Sequence, residues 1–535
     1  MTANTVAEVV TEQLSKWEVE RVYGYAGDTI LNFFSALRDS PIELYTPKHE
    51  SAAGLMASAE AKLTGDLAVC TAHSGPGTAN IINGIADASS DKAPVLLITG
   101  QVETWNVGTD YKQYVKQQEL TNPLTTYSSV VMDPESVVDI LVKAMSQAIT
   151  KGGVSHVVIP YNLWEAKTGA VPRDYPLHLE QMPSPREELL DQAADEINKA
   201  EKPIILYGRG ARGCREELLQ LAEQTGAGLI NTLPATGIIS GEESLTLGGL
   251  GATGNDQASK LFKEADLIIM LGATWWPMDY VPREPKVIQV DAVKGNIGKT
   301  FPVQLGIVGD LKEVLAQLVE NISPSGQEEW REQLETKHQE WLDTRDQKIE
   351  PTDGTLAPQT AMNIISDQLS EEEIVTLDSG DNVVWFGSYF NDQCSEVLVS
   401  GSWRTMGFGL PAALAAKLNR PDEPVTCITG DGGIEMVMGE LLTGARYELP
   451  VRIIIFNNEQ LAMERNKMES ADLPPTGVDL TNPDFVKLAE SCQIKGMRVE
   501  SPKELEERLA ATEDLEEPIA IEVPVTPSFP EGTKL

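Results

Sequence analysis

Short, unbroken apolar runs recur along the chain, separated by longer stretches with helical periodicity. The runs fall at residues 22–25, 67–71, 95–99, 156–160, 203–207, 267–271 and 287–290, and again at 425–428 and 451–456. A strand that is apolar on successive positions is buried on both faces, the condition of a parallel sheet covered by helices on each side. Alternation of such strands with helical stretches predicts crossover connections, and the fold class is therefore α/β. Two stretches break the pattern. Residues 171–188 are rich in proline and charge. Residues 322–358 begin Ser-Pro-Ser-Gly, run through a charged helix carrying Trp330 and Trp341, and end at Pro351 and Pro358. Linkers at these breaks divide the chain into three doubly wound parallel-sheet domains, at 1–175, 186–325 and 356–535, each of ordinary domain size. The first and third share a similar pattern.

Composition narrows the function. Of 535 residues, 42 are Lys or Arg and 81 are Asp or Glu, a formal charge of −39. A field of that sign opposes nucleic acid and anionic membrane surfaces. The charges are dispersed, so no acidic tail is read. Two explanations stay open, a surface adapted to a salty cytoplasm and an ordinary acidic enzyme. The five cysteines (Cys70, Cys214, Cys394, Cys427, Cys492) lie far apart without CxxC spacing, against both a disulfide framework and a zinc site. The N-terminus lacks a basic region followed by an apolar core, and no apolar stretch is long enough to span a bilayer. A cytoplasmic location without an integral membrane segment is expected.

The chemistry concentrates at strand ends. Gly430-Asp431-Gly432 follows the run at 425–428, Asn457-Asn458 follows the run at 451–456, and residues 433–449 between them read as a helix. Ligands of such a unit lie at the carboxyl ends of the strands. Asp431 and Asn458 are hard oxygen donors suited to Mg²⁺, which takes few protein ligands when a diphosphate supplies the rest. Gly430, Gly432 and Gly433 allow close backbone approach to phosphate oxygens. His73-Ser74-Gly75-Pro76-Gly77 reads as a tight strand-to-helix turn. Glu50, in Pro47-Lys48-His49-Glu50-Ser51, opens a helix. Gly208-Arg209-Gly210, Gly272-Ala273-Thr274, Asp291 and Gly309-Asp310 each follow or close a strand of the middle unit.

The Gly430–Asn458 arrangement resembles the thiamine diphosphate (ThDP) signature. With Tyr25-Ala26-Gly27-Asp28, His49-Glu50, Ser74-Gly75-Pro76-Gly77, Pro483-Asp484-Phe485 and Leu488-Ala489-Glu490, the chain is identified over essentially its whole length as a member of the pyruvate oxidase/acetohydroxyacid synthase group. Within it, the chain is most similar to bacterial pyruvate oxidases that pass electrons to quinone. The resemblance implies a role for each residue. Glu50 would drive the tautomeric cycle of the cofactor's aminopyrimidine, through which the thiazolium C2 loses its proton. The Ser74-Gly75 loop, with Gly27, would face the cofactor ring, and His73 is either catalytic or a turn residue. Met406, in Trp403-Arg404-Thr405-Met406-Gly407, would wedge between the two rings, and the Arg404 carbonyl would take the amino group's hydrogen bond. Members of the group often carry a small residue at position 404. The Gln460 carbonyl would be the third metal contact. Active sites would lie between subunits of a homodimer or homotetramer. FAD would bind the middle unit through Gly208, Gly210, Gly272, Thr274, Asp291 and Asp310, although some members keep this fold without a nucleotide. The implied reaction is ThDP- and Mg²⁺-dependent decarboxylation of a 2-oxo acid, pyruvate first, with flavin-linked oxidation. The alternatives are an acetolactate synthase-type carboligase and an acetyltransferase or lyase for an anionic substrate.

Two departures bear on substrate. Gln113 matches an aromatic-Gln pair that lies near the substrate, but Lys112 replaces the aromatic. Lys467 stands where a glutamate is usual. Both lysines either face the pocket, favouring a substrate with a second negative charge, or lie on the surface. Quinone-linked members also continue past the segment resembling Ser528-Phe529-Pro530-Glu531-Gly532, so an end at Leu535 implies oxygen, a soluble acceptor or non-oxidative chemistry.

Overall fold

The computed structural model describes residues 4–276, 278, 285–324, 326–346, 354–390 and 393–529. Pro277, Pro351 and Pro530 to Gly532 lie outside them. Three six-stranded sheets, every neighbouring pair parallel, form the framework. The first runs in the order Glu43–Tyr45, Arg21–Gly24, Ala68–Ala72, Val95–Gln101, Val154–Pro160, Thr125–Val130. The third runs Glu396–Val399, Ile374–Leu377, Val425–Gly430, Arg452–Asn457, Ile519–Pro524, Lys495–Arg498. Counted by chain order within each sheet, both are 2-1-3-4-6-5, so the similarity of pattern is a similarity of topology.

The middle sheet differs. It runs Thr246–Gly249, Gly228–Asn231, Pro203–Tyr207, Leu267–Leu271, Lys286–Asp291, Leu305–Val308. That order is 3-2-1-4-5-6, the order of dinucleotide-binding folds, whose ligand crevice opens where the winding reverses between the first and fourth strands. The helix Glu328–Arg345 is no bare connector: Trp330, Leu334, His338 and Trp341 are buried, and His338 Nδ1 lies 2.7 Å from the Thr246 carbonyl oxygen of the middle sheet.

The first and third units share one core. Helix Glu50–Thr64 packs on helix Gly409–Asn419, and both contribute alanines (Ala53, Ala57, Ala61; Ala412, Ala413, Ala416) to a continuous buried cluster. Small side chains let the helix axes approach, and burial around most of its circumference explains why Glu50–Thr64 lacks a strong polar face. Residues 433–449, expected as one helix, form Asp431–Val437, a 3₁₀ turn Met438–Glu440, and Leu441–Arg446. The turn carries Glu440 inward, where its carboxylate accepts the Lys48 backbone N–H (3.0 Å to each oxygen) and the Thr443 hydroxyl (2.7 Å). Among the described residues no helix is long and apolar enough to cross a membrane.

Candidate functional site

In the third sheet the winding reverses between Ile374–Leu377 and Val425–Gly430, and the turns after these strands face one another. Asp431 is buried. Its Oδ1 accepts the Gly432 N–H (2.9 Å), while Oδ2 accepts the Glu459 N–H (2.7 Å), the Asn482 amide (2.9 Å) and the Asn458 N–H (3.3 Å). Asn458 in turn donates to Asp381 Oδ2 (3.1 Å), and its Oδ1 accepts the Gln460 N–H (3.3 Å). Burial, then the charge of Asp431, pushes the Asp381 carboxyl up to about 6; burial likewise raises that of Asp431.

Two carboxylates thus share one crevice with no Lys or Arg hydrogen-bonded to either among the described residues. Buried charge of one sign calls for a counter-ion. An all-oxygen set of carboxylate, amide and backbone carbonyl suits Mg²⁺ completed by phosphate, so the residues fit a metal-bound diphosphate. The described residues hold no cluster of three His, Cys, Asp or Glu that would bind a metal by themselves. Space is tight at two of the glycines, and tightest at Gly433, while Gly430 has room for a Cβ. A Cβ on Gly433 would come within 2.8 Å of Asp378 Cγ, and one on Gly432 within 2.9 Å of Leu461 and 3.1 Å of Met406 Cε.

The Met406 loop is pinned from three sides. Asp378, fully buried, accepts the N–H groups of Gly407 (2.8 Å) and Gly409 (3.2 Å). Asp91, from the first unit, accepts those of Gly401 (2.9 Å) and Ser402 (2.8 Å). Asn83 accepts from Trp403 Nε1 (2.9 Å) and donates to the Thr405 hydroxyl (3.0 Å). Behind Asp91, the Lys62 side chain is 1% exposed and bridges Asp91 and Asp87, each at 2.7 Å, while donating to the Val399 carbonyl (3.1 Å). Sequence reasoning missed Asp378, Asp381, Lys62, Asp87 and Asp91.

A second cluster lies in the first unit. Glu50 is buried, and its Oε2 accepts the Asn80 amide (3.0 Å). The Ser74 hydroxyl donates to the Gln113 carbonyl (2.8 Å) and Gln101 Oε1 (2.9 Å). Gly75 has φ +71°, with the Gln113 carbonyl 2.8 Å from where a Cβ would stand. Gly27 packs on the His73 ring, whose Nδ1 is buried with no partner among the described residues. Glu50, Ser74, Gly75 and Gln113 are thus grouped, but none of them lines the cavity that holds Asp431. Lys112 is exposed and also outside that cavity. Lys467 does line it, paired with Glu464 at 3.1 Å. The two lysines are not brought together.

The cavity measures about 1310 Å³. It runs from Asp381, Met406, Gly430 to Gly433 and Gln460 to the strand ends of the middle sheet at Gly208, Gly210, Gly272, Thr274, Asp291 and Asp310. The Gly208–Gly210 and Gly272 turns press on each other: a Cβ on Gly208 would stand 2.5 Å from the Gly272 carbonyl oxygen, and one on Gly210 2.9 Å from Gly272 Cα. Contact between the turns is reason enough for these glycines. Asp291 is buried, with Oδ1 accepting the Val293 N–H (2.8 Å) and the Asn296 amide (2.9 Å), and burial raises its pKa. Asp310 caps the helix Leu311–Asn321 through the Glu313 N–H (3.0 Å).

Comparison with known proteins agrees with this division. Residues 4–122 match the N-terminal TPP binding domain of thiamine pyrophosphate enzymes, 190–318 the central domain, and 378–523 the C-terminal TPP binding domain. The chain is 34% identical to a putative thiamine pyrophosphate-containing protein, YdaP, of Bacillus subtilis (strain 168), over 98% of this chain and 92% of that one. It is 32% identical to a probable acetolactate synthase large subunit of Methanococcus aeolicus (99% and 94%), and 30% identical to the acetolactate synthase isozyme 3 large subunit of Escherichia coli (strain K12) (94% and 91%). The likeness to pyruvate oxidases holds at the level of the family: two of these relatives carry the acetolactate synthase name and the third names no reaction.

Proposed function

Since the chain belongs to the thiamine pyrophosphate enzyme family, we propose that it decarboxylates a 2-oxo acid, of which pyruvate is the simplest, and passes the electrons to a bound flavin. Asp431, the Asn458 side-chain oxygen and the Gln460 carbonyl would hold Mg²⁺, with Gly430, Gly432 and Gly433 admitting the diphosphate. The cofactor, when bound, supplies a carbon nucleophile and an electron sink at the carbon that loses CO₂. Met406 and the Arg404 carbonyl would fix the orientation of its rings, in a loop that Asp378, Asp91 and Asn83 keep from shifting. Glu50 would hold and release the proton at the aminopyrimidine nitrogen, and its burial keeps water from competing for that proton. Gly27, Ser74 and Gly75 would form the surface under the ring, with Gln113 at the substrate. Because the Glu50 group lies outside the Asp431 cavity, the catalytic set is completed by a second copy of the chain, in a homodimer or homotetramer.

The observation that carries the flavin is the strand order of the middle sheet, 3-2-1-4-5-6, together with a cavity that joins its switch point to Asp431. Asp291 and Asp310 at that end would face the nucleotide. A second reading, carboligation of the acetolactate synthase type, is favoured by the names of the relatives. Product analysis separates them. Protein loaded with ThDP, Mg²⁺ and FAD and fed pyruvate with an artificial electron acceptor should yield CO₂ and acetate. Acetolactate instead would establish the second reading, and no CO₂ from pyruvate or from any other 2-oxo acid would overturn both.

A further inference from the structure

We propose that Arg404 reads a second negative charge on the substrate, a carboxylate or sulfonate at the end remote from the carbon that loses CO₂. This deepens the reading above and rests on it, since the Asp431 arm of the cavity must be the substrate site. Arg404 has φ +56°, in the left-handed region that favours glycine. The residues on both sides of it are held by hydrogen bonds. Gly401 and Ser402 are fixed by Asp91, Trp403 and Thr405 by Asn83, the Thr405 N–H by the Ser400 hydroxyl (2.9 Å), and Gly407 and Gly409 by Asp378. A disfavoured backbone conformation that its surroundings over-determine marks a functional position. Any side chain beyond Cβ meets the same backbone strain there, so the arginine is read from what its side chain can reach.

That side chain is uncommitted. Arg404 is exposed, lines the cavity with Met406, Met463 and Asp431, and makes no side-chain hydrogen bond or ion pair among the described residues. Of the lysines first considered, Lys112 lies off the cavity and Lys467 is already paired with Glu464. With Lys467 and Glu464 paired to each other, the carboxylates left in this arm are Asp381 and Asp431, so an anionic group arriving there is met by the Arg404 guanidinium. A guanidinium meets a carboxylate or sulfonate through two parallel N–H donors, which gives orientation as well as attraction. The group it reads must be one the substrate keeps: a cation gripping the departing carboxylate would stabilise the ground state and be lost as CO₂ forms.

The test uses the protein loaded with ThDP, Mg²⁺ and FAD. Values of kcat/KM are measured for 2-oxoglutarate against 2-oxopentanoate, equal in length but lacking the terminal charge, and for sulfopyruvate against 2-oxobutanoate. Wild type should favour the charged member of at least one pair by roughly ten-fold or more, the scale of one such pairing. Arg404→Ala should abolish that preference through KM, with Arg404→Lys intermediate and the ThDP dissociation constant, read from tryptophan quenching, within about two-fold of wild type. A preference that Arg404→Ala leaves in place overturns the proposal. So does a weaker ThDP affinity with both members of a pair slowed equally, which would assign Arg404 to the cofactor. Turnover of pyruvate with no preference for charge overturns it while leaving the proposed function standing. If wild type decarboxylates no 2-oxo acid, both fall together.

Discussion

Replacing Lys62 with methionine tests how the first unit holds the Met406 loop. Methionine keeps most of the volume and removes the charge, leaving Asp87 and Asp91 facing one another in the core. Asp87 is fully buried; it would retain the Ser58 hydroxyl (2.6 Å), and its Oδ1 already lacks a partner among the described residues. Asp91 would retain only the N–H groups of Gly401 and Ser402. Stripping the cation from a buried pair costs ~3–5 kcal/mol, because the remaining charge is uncompensated. In a unit of this size that is a fall in Tm of about 10 °C. Differential scanning fluorimetry of the cofactor-free protein at pH 8 would read it, and the ThDP dissociation constant should rise as the loop loosens. Two controls identify the cause. The triple variant K62M/D87N/D91N, with no charge left to strand, should recover most of the lost Tm. The K62M deficit should also shrink as pH falls: burial raises the Asp91 carboxyl and Lys62 is the main group that brings it down, so without Lys62 its cost is absent when protonated and grows as pH rises. A fall under about 2 °C, or a triple variant no better than the single one, would refute the ionic explanation.

Two further outcomes are expected. Glu50→Gln and Asp431→Asn should each abolish activity alone, yet an equimolar mixture dissociated and reassociated should regain roughly a quarter of wild-type activity, because mixed dimers carry one intact site; no recovery would place both residues in one subunit's site. For Asp378, burial lifts the carboxyl from 3.8 to about 6 against the N–H groups of Gly407 and Gly409. The folded value exceeds the unfolded one, so the stability it contributes is complete below pH 3.8 and lost as pH rises through 6. The rise corresponds to about 3 kcal/mol. Denaturant unfolding of wild type and Asp378→Asn across that window should show their difference shrinking by about this amount, and a difference independent of pH would contradict it.

Central strands were legible in the sequence because burial on both faces leaves an unbroken apolar run; 203–207 and 267–271 match their strands to the residue. Edge strands such as Thr125–Val130 and Lys495–Arg498 were not, since one side meets solvent and the run is diluted with Thr, Ser, Lys and Arg. The strand Ile374–Leu377 carried a readable signal, an apolar run ending in Asp-Ser-Gly-Asp, and with it the turn that brings Asp378 and Asp381 to the crevice. Lys62, Asp87 and Asp91 had no such signal. Along the chain they look like solvated helix charges, and it is the packing of Glu50–Thr64 against both Ile82–Ser90 and Gly409–Asn419 that buries Lys62 and Asp87 and leaves Asp91 half-buried. Gly208, Gly210 and Gly272 show the opposite case, where glycines expected to admit a ligand have a sufficient reason in one another.

The most direct measurement is anaerobic: protein loaded with ThDP, Mg²⁺ and FAD is mixed with pyruvate, or with the 2-oxo acid that Arg404 selects, while the visible flavin band is followed. Bleaching that needs ThDP and fails in Asp431→Asn is the predicted result. Flavin that stays oxidised while CO₂ is released would contradict the oxidative reading and leave carboligation in its place.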